Sequence, residues 1–272
     1  MQNRQFILLT FIVLISCGGL VWVFNNYLEY ENQEKNEKII DLYLDELTGL
    51  VNKNRNLVLT ASVLLAKDEA IKRCLKTNKR CNCFKYLTKS KQGLLDTLVF
   101  DDLKIHIHDR NLKSFYRLWS NNQDNDSLSS FRYSLNQVKN TQKSLSCIEI
   151  GRYSMLIRGI TPVIEEGEYL GSIEAITNFD SVIKHFNKKG VKLFILMNKE
   201  YEYIVSKIKF KEEQKLKNYT LLNETNEDIS FLKDMEFKKT SYQKVGYFYL
   251  INTPIYDLNH TIIGYYVLKV VL

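Results

Sequence analysis

IHIH at residues 105–108, SFYRLW at 114–119, SSFRYS at 129–134, IEIG at 148–151, LIRGITPV at 156–163 and GSIEAI with NFD at 171–180 decide how this chain folds. Side chains two apart on a strand share a face, so these short apolar runs read as neighbouring strands. Four of these runs carry one charged residue in their interior: Arg117, Glu149, Arg158 and Glu174. An ionised group inside a half-buried strand is costly unless it is paired or binds something. Four of them on adjacent strands therefore form either an internal ion-pair network or a pocket for a polar ligand.

Working outward, residues 103–108 and 114–119 are joined by the turn-prone Asp109-Arg110-Asn111, which predicts a hairpin. A short helix follows over 130–139, then strands at 144–150, 155–163 and 169–176. The last two are linked by Glu165-Glu166-Gly167, and a helix over 179–188 ends at Gly190. The remainder repeats the plan: strands at 191–197 and 201–206, a short helix at 228–235, and strands at 246–253 and 261–271. The chain's two prolines mark the repeat. Thr161-Pro162 precedes Gly171, and Thr253-Pro254 precedes Gly264, each as a hairpin whose returning strand carries the glycine. Two such hairpins predict a duplicated α+β module with antiparallel sheets.

Residues 33–66 contain no proline and read as one long helix. Ile40, Leu44, Leu47, Val51, Asn54, Val58, Ala61 and Leu65 draw a single seam along it. The seam fits a helix packed along its own domain, and equally a parallel dimer with Asn54 as the polar register residue. Before it, residues 6–24 (FILLTFIVLISCGGLVWVF) are uncharged and long enough for one transmembrane helix. Arg4 precedes this run and Glu29, Glu31 and Glu34 follow it, which favours a cytoplasmic N-terminus with the folded region outside. The rival is a lipoprotein with Cys17 acylated, since Leu14-Ile15-Ser16-Cys17 resembles a lipobox.

The net charge of +7 is spread in alternating Lys and Glu without a clustered basic face, which argues against nucleic-acid binding. No G-x-S-x-G, H-E-x-x-H, P-loop or GxGxxG is present, so no enzyme and no cofactor are expected. His106 and His108 share a strand face, but no Cys or carboxylate stands at ligand spacing, and no metal site is expected. A turn at 77–79 would let Cys74 reach Cys81, and an oxidising compartment favours such a bridge.

A long helix followed by two mixed modules resembles the double Cache sensors, the extracytoplasmic ligand-binding regions of bacterial chemoreceptors, sensor kinases and diguanylate cyclases. The likeness is carried by His106/His108, Ser114-Phe115-Tyr116-Arg117, Phe131-Arg132, Glu149-Ile150-Gly151, the stretch from Ile157 through Arg158-Gly159 to Pro162-Val163, and Gly171-Ser172-Ile173-Glu174. It implies a long N-terminal helix and two tandem PAS-like modules: anchor 1–25, signalling and dimer helix 26–67, membrane-distal module 68–189 and membrane-proximal module 190–272. It also implies a single-pass plasma-membrane protein, its folded region periplasmic or extracellular, homodimeric through the helix and without a catalytic site. Family receptors continue through a second transmembrane helix into an effector. This chain stops where that helix would begin, so the expectation is that output passes through a partner receptor chain or is missing because the reading frame is truncated.

By the same resemblance one face of the distal sheet holds the ligand. Arg117, Arg132 and Arg158 would clamp a carboxylate, with Trp119 and Tyr116 over its apolar part. Glu149, Glu174 or Asp180 would accept from an amine or hydroxyl. An amino acid or small carboxylate fits this set. The plainer reading is that Arg117–Glu149 and Arg158–Glu174 pair to hold the sheet. The second module has Leu250 where the first has Arg158, four residues before the proline, which places the ligand in the first module. The resemblance implies a small-molecule sensor of the chemoreceptor type; the alternatives are a tethered extracytoplasmic solute-binding protein or lipoprotein, or the sensor region of a histidine kinase or diguanylate cyclase.

Overall fold

The computed structural model describes residues 2–78, 81–120 and 125–271, without the side chains of 2–17 and 81–84. The chain divides into two units, residues 1–46 and residues 47–271. Helix α1 (Gln2–Ala66) contributes to both. In the first unit it carries exposed i,i+4 pairs, Lys35–Glu31 at 3.2 Å and Lys38–Glu34 at 2.6 Å. Each such pair adds a few tenths of a kcal/mol to an isolated helix. The side chains of 6–17, most of the expected membrane span and the Cys17 lipobox, lie outside the described residues. Among the described residues no helix is long and apolar enough to cross a membrane.

The second unit holds two five-stranded antiparallel sheets. The first contains β1 (Lys104–Asp109), β2 (Ser114–Arg117), β3 (Leu145–Ile150), β4 (Met155–Glu165) and β5 (Glu168–Thr177), in the order β2-β1-β5-β4-β3. The second contains β6 (Lys192–Asn198), β7 (Tyr219–Leu221), β8 (Ser241–Val245), β9 (Phe248–Tyr256) and β10 (Ile262–Val270), in the order β7-β6-β10-β9-β8. Strand for strand the two topologies are the same. Helices α2 (Glu69–Thr77), α3 (Cys81–Asp96) and α4 (Tyr133–Thr141) belong to the first half, and α5 (Asp180–Lys188) leads into the second sheet. The chain is thus α+β, with a long helix and a duplicated sheet module.

The proline hairpins mark equivalent positions in both copies. Pro162 pairs with Ser172 across β4–β5, and Pro254 pairs with Tyr265 across β9–β10. Strand β3 stops pairing with β4 at Ile160, and β8 stops pairing with β9 at Asn252. Each proline therefore lies where its missing N–H leaves no ladder bond unmade. The β4–β5 turn uses Glu166 (φ 50°) and Gly167 (φ 82°), the double left-handed geometry of a two-residue hairpin.

On one face of the first sheet Ile105, Ile107, Phe115, Val163, Leu170 and Ile173 pack with Leu65, Ala66, Ile71, Cys74, Leu75 and Leu87. The approach of α1 is close: a Cβ on Gly159 would lie 2.3 Å from the Val58 carbonyl carbon. Leu47, Val51, Val58, Ala61 and Leu65 of the seam are buried. Asn54 donates to Ser181 Oγ at 2.8 Å, and Ser62 bonds Thr161 at 2.8 Å. From residue 47 onward the seam thus serves the chain's own domain, and Asn54 is engaged there by Ser181.

Two local expectations differ from the structure. Residues 201–206, read as a strand, belong mostly to a 3-10 helix (Lys199–Ile204). Of the helix at 228–235 only a single 3-10 turn, Ser230–Leu232, forms. Strands β7 and β8 escaped the sequence reading because one has three residues and the other, SYQKV, is an exposed edge with no apolar alternation.

A buried charged face in the first module

The β1–β5 register sets His106 opposite Glu174 and His108 opposite Ser172. The β1–β2 register sets Arg117 opposite His106. Arg158 and Glu149 come from β4 and β3, and Arg132 is the residue before α4. Arg117, Arg132, Glu149, Arg158, Glu174, His106 and His108 are all buried. The same face continues into an apolar cluster of Leu112, Leu128, Leu135, Val138 and Ile160.

Two carboxylates organise the centre. Glu149 Oε2 accepts from Arg132 Nε and Ser134 Oγ, both at 2.5 Å, and Oε1 accepts from Ser134 N at 2.9 Å. Glu174 Oε1 accepts from Arg132 Nη2 at 2.5 Å and Arg158 Nη1 at 3.0 Å. Arg158 Nε also donates to the Glu149 carbonyl at 3.2 Å. Its guanidinium lies so close to Gly151 that a Cβ there would meet Nη2 at 2.5 Å. A larger residue there would push the guanidinium aside.

The other Glu174 oxygen, Oε2, faces His106 Nδ1 at 3.4 Å and His108 Nε2 at 3.5 Å and accepts no hydrogen bond among the described residues. His108 Nε2 and His106 Nδ1 are 3.0 Å apart. The outer nitrogens reach serines, His106 Nε2 to Ser114 Oγ at 2.9 Å and His108 Nδ1 to Ser172 Oγ at 3.0 Å. Burial holds both imidazoles below their ordinary range, which keeps them neutral near pH 7. Burial also pushes the Glu174 carboxyl up, but the charges of Arg132 and Arg158 outweigh it and hold the group well below the usual carboxylate range.

Beside this centre, Asp126 bridges Arg117 Nη2 at 2.8 Å and Arg152 Nε at 2.9 Å. The Trp119 ring lies 5.6 Å from His106 and 5.7 Å from Tyr153. Its indole N–H is buried with no acceptor among the described residues. A cleft of about 270 Å³, lined by Phe131, Arg132, Glu149, Tyr201, Tyr203 and Asp257 among others, reaches the edge of the centre.

Of the residues singled out in the sequence, Arg132, Glu149, Arg158 and Glu174 meet directly, with Arg117 and Trp119 at their flank. Tyr116 packs against the apolar cluster on the opposite face, as its position next to Arg117 on a strand requires. Asp180 is exposed at the start of α5 and accepts from Asn178. Arg158–Glu174 is a real pair, whereas Arg117 pairs with Asp126 rather than Glu149. Sequence spacing offered no carboxylate to the histidines, yet the strand register supplies Glu174 directly across from His106. Ser134, Ser172 and Asp126 were also missed, since small polar residues in loops and strands carry no spacing signal.

The profile of the dCache_3 family, described as the double sensory domain of two-component sensor kinases, matches residues 99–268. The chain belongs to that family. Among solved structures it is similar to the sensor domain of the Vibrio cholerae histidine kinase DctB. That match has 8% identity and a TM-score of 0.51, and covers 87% of this chain and 98% of that one. A domain of a sensory box/GGDEF family protein from Vibrio parahaemolyticus matches at 9% identity and TM-score 0.50, covering 84% and 93%. The ligand-binding domain of the Pseudomonas fluorescens chemoreceptor CtaA, solved with L-serine, matches at 15% identity and TM-score 0.42, covering 86% and 98%. No curated protein sequence matches the chain.

Proposed function

We propose that this chain is the extracytoplasmic sensor of a membrane receptor and takes an amino acid or small carboxylate on the charged face of its first module. One observation carries the reading: the second module is an internal control. Register equivalence places Phe194, Leu196, Leu250, Tyr265 and Val267 where the first module has His106, His108, Arg158, Ser172 and Glu174. Those five residues form one apolar core. Val245, the counterpart of Glu149, packs against it. The same topology therefore folds on apolar side chains. Buried ion pairs are poor contributors to stability compared with apolar replacements. A fold that can do without them and carries them in one copy uses them for recognition. Guanidiniums from Arg132 and Arg158 suit a carboxylate, and Glu149 suits an amine.

Membrane attachment and an oxidising compartment fit two further observations. Leu20, Val21, Trp22, Val23 and Phe24 are each 56–70% exposed, a run of bare apolar surface continuing the expected span. Cys74 is disulfide-bonded, its partner lying outside the described side chains, and α2 ends at Thr77 with Asn78 in the left-handed conformation, the break such a bridge needs. Dimerisation belongs on this reading to the helix before residue 47. The family description fits a kinase-type output as well as the chemoreceptor type.

The test is a thermal-shift screen of the full chain against L-amino acids and small mono- and dicarboxylates, beside Arg158→Met. A ligand at 100 times its Kd adds about 2.7 kcal/mol. A stabilising compound that no longer stabilises the Arg158→Met chain supports the reading. No stabilising compound at millimolar concentration, or one that works equally on the variant, contradicts it.

A further inference from the structure

We infer that His106 Nδ1, His108 Nε2 and Glu174 Oε2 form a binding site for a divalent transition metal, zinc above all. The three atoms are separated by 3.0, 3.4 and 3.5 Å. Ligand atoms around a tetrahedral zinc with bonds of about 2.0–2.1 Å are about 3.3–3.4 Å apart, so this triangle takes the ion with little movement. Two imidazoles and one carboxylate leave a fourth position open and suit zinc; calcium and magnesium prefer oxygen alone.

Two features suit a metal better than a chance cluster. Glu174 Oε2 is buried and accepts no hydrogen bond among the described residues, although Oε1 of the same carboxylate takes two guanidinium bonds. A buried carboxylate oxygen left bare is costly, and a cation in front of it removes that cost. Each histidine bonds a serine oxygen through the nitrogen facing away from the site, as ligating histidines do in metal centres. The inner nitrogens hydrogen-bond each other at 3.0 Å, one donating to the other; a metal would displace that proton to the outer nitrogens, and both inner lone pairs would then face the ion together with Oε2. Arg132 and Arg158 lie close by, so the fourth ligand should be an anionic oxygen: hydroxide, or the carboxylate of a bound molecule. The unpartnered Trp119 N–H, on a ring 5.6 Å from His106, is a spare donor for it.

The inference is independent of the small-ligand reading, because zinc binding is measured with no organic ligand present. The full chain in mild detergent is stripped with chelator, dialysed against ZnCl2 with excess MgCl2 and CaCl2, and analysed for metal. The expected result is one zinc per chain, and with CoCl2 instead, the visible bands of four-coordinate cobalt(II) without a thiolate band. His106→Gln and His108→Gln should each weaken zinc more than tenfold, while His185→Gln and His260→Gln should leave it unchanged. Ser172→Ala, which keeps every ligand, should weaken it about 10–100-fold and covers the case in which the histidine variants do not fold. A stripped wild-type chain that takes up no zinc overturns the inference. So does zinc retained undiminished by Ser172→Ala, or by a folded His106→Gln chain.

Discussion

Replacing Glu174 by Gln keeps the shape of the side chain and removes one charge from a centre in which Arg132 and Arg158 are balanced by Glu149 and Glu174. Arg132 keeps Glu149, but Arg158 is left with only neutral acceptors among the described residues, the new amide oxygen at position 174 and the Glu149 carbonyl. Breaking a buried pair from one side costs about 3–5 kcal/mol, because the remaining charge is uncompensated. At roughly 2–4 °C per kcal/mol for a domain of this size, the melting midpoint should fall roughly 6–20 °C. Adding Arg158→Met removes the stranded charge while keeping the apolar stem, and the Arg132–Glu149 pair survives. The double variant should therefore be more stable than Glu174→Gln alone, with a coupling between the two substitutions of about 1–3 kcal/mol. The assay is the thermal midpoint of the four chains of the cycle, in chelator so that metal plays no part. If the two losses simply add, the reasoning about charge balance is wrong.

Stability should also depend on pH with a definite sign. His106 and His108 are held below their ordinary 6.5 when folded, so on acidification the unfolded chain takes protons that the native state refuses. Their contribution is complete above about pH 6.5 and is lost as pH falls, by up to about 1.4 kcal/mol per pH unit for each ring. Glu174, also depressed, adds loss of the same sign once pH drops below its unfolded 4.5. Urea midpoints at neutral and mildly acid pH check this, and a midpoint that rises toward acid contradicts it. Gly159→Val should cost about 1–3 kcal/mol or more, because its Cβ meets the α1 backbone rather than a movable side chain; a neutral result in urea unfolding would show that α1 does not seat on β4. Cys74→Ser should cost about 2–4 kcal/mol and make the melting midpoint insensitive to reductant, whereas that of the wild type drops. An unchanged wild-type midpoint in reductant would remove the disulfide from the account.

The fold was legible where side-chain pattern and turn chemistry coincide. Thr161-Pro162 with Gly171 and Thr253-Pro254 with Gly264 marked the two copies, and the close approach of both glycines to equivalent carbonyls, His108 and Leu196, shows why those residues recur. Edge strand β8 was invisible because nothing on it is fully buried. In the candidate site, Arg117, Arg132, Glu149, Arg158 and Glu174 were readable because a charge inside an apolar strand is conspicuous. Which of them meet was not readable, because that depends on register across strands distant in sequence. Asp126 displaced Glu149 as the partner of Arg117 for that reason, and Glu174 reached the histidines across a separation that no spacing rule covers.

Whether a ligand enters the charged face is the central claim, and the chain supplies its own reporter. It has two tryptophans, Trp22 and Trp119, so Trp22→Phe leaves only the indole beside His106. Emission of that variant is titrated with the L-amino acids and small carboxylates, with calorimetry on the same samples. The account predicts a saturable change in Trp119 emission for at least one compound, with a midpoint matching the calorimetric one. Binding heat with an unchanged Trp119 signal would place the ligand elsewhere in the molecule and contradict the account.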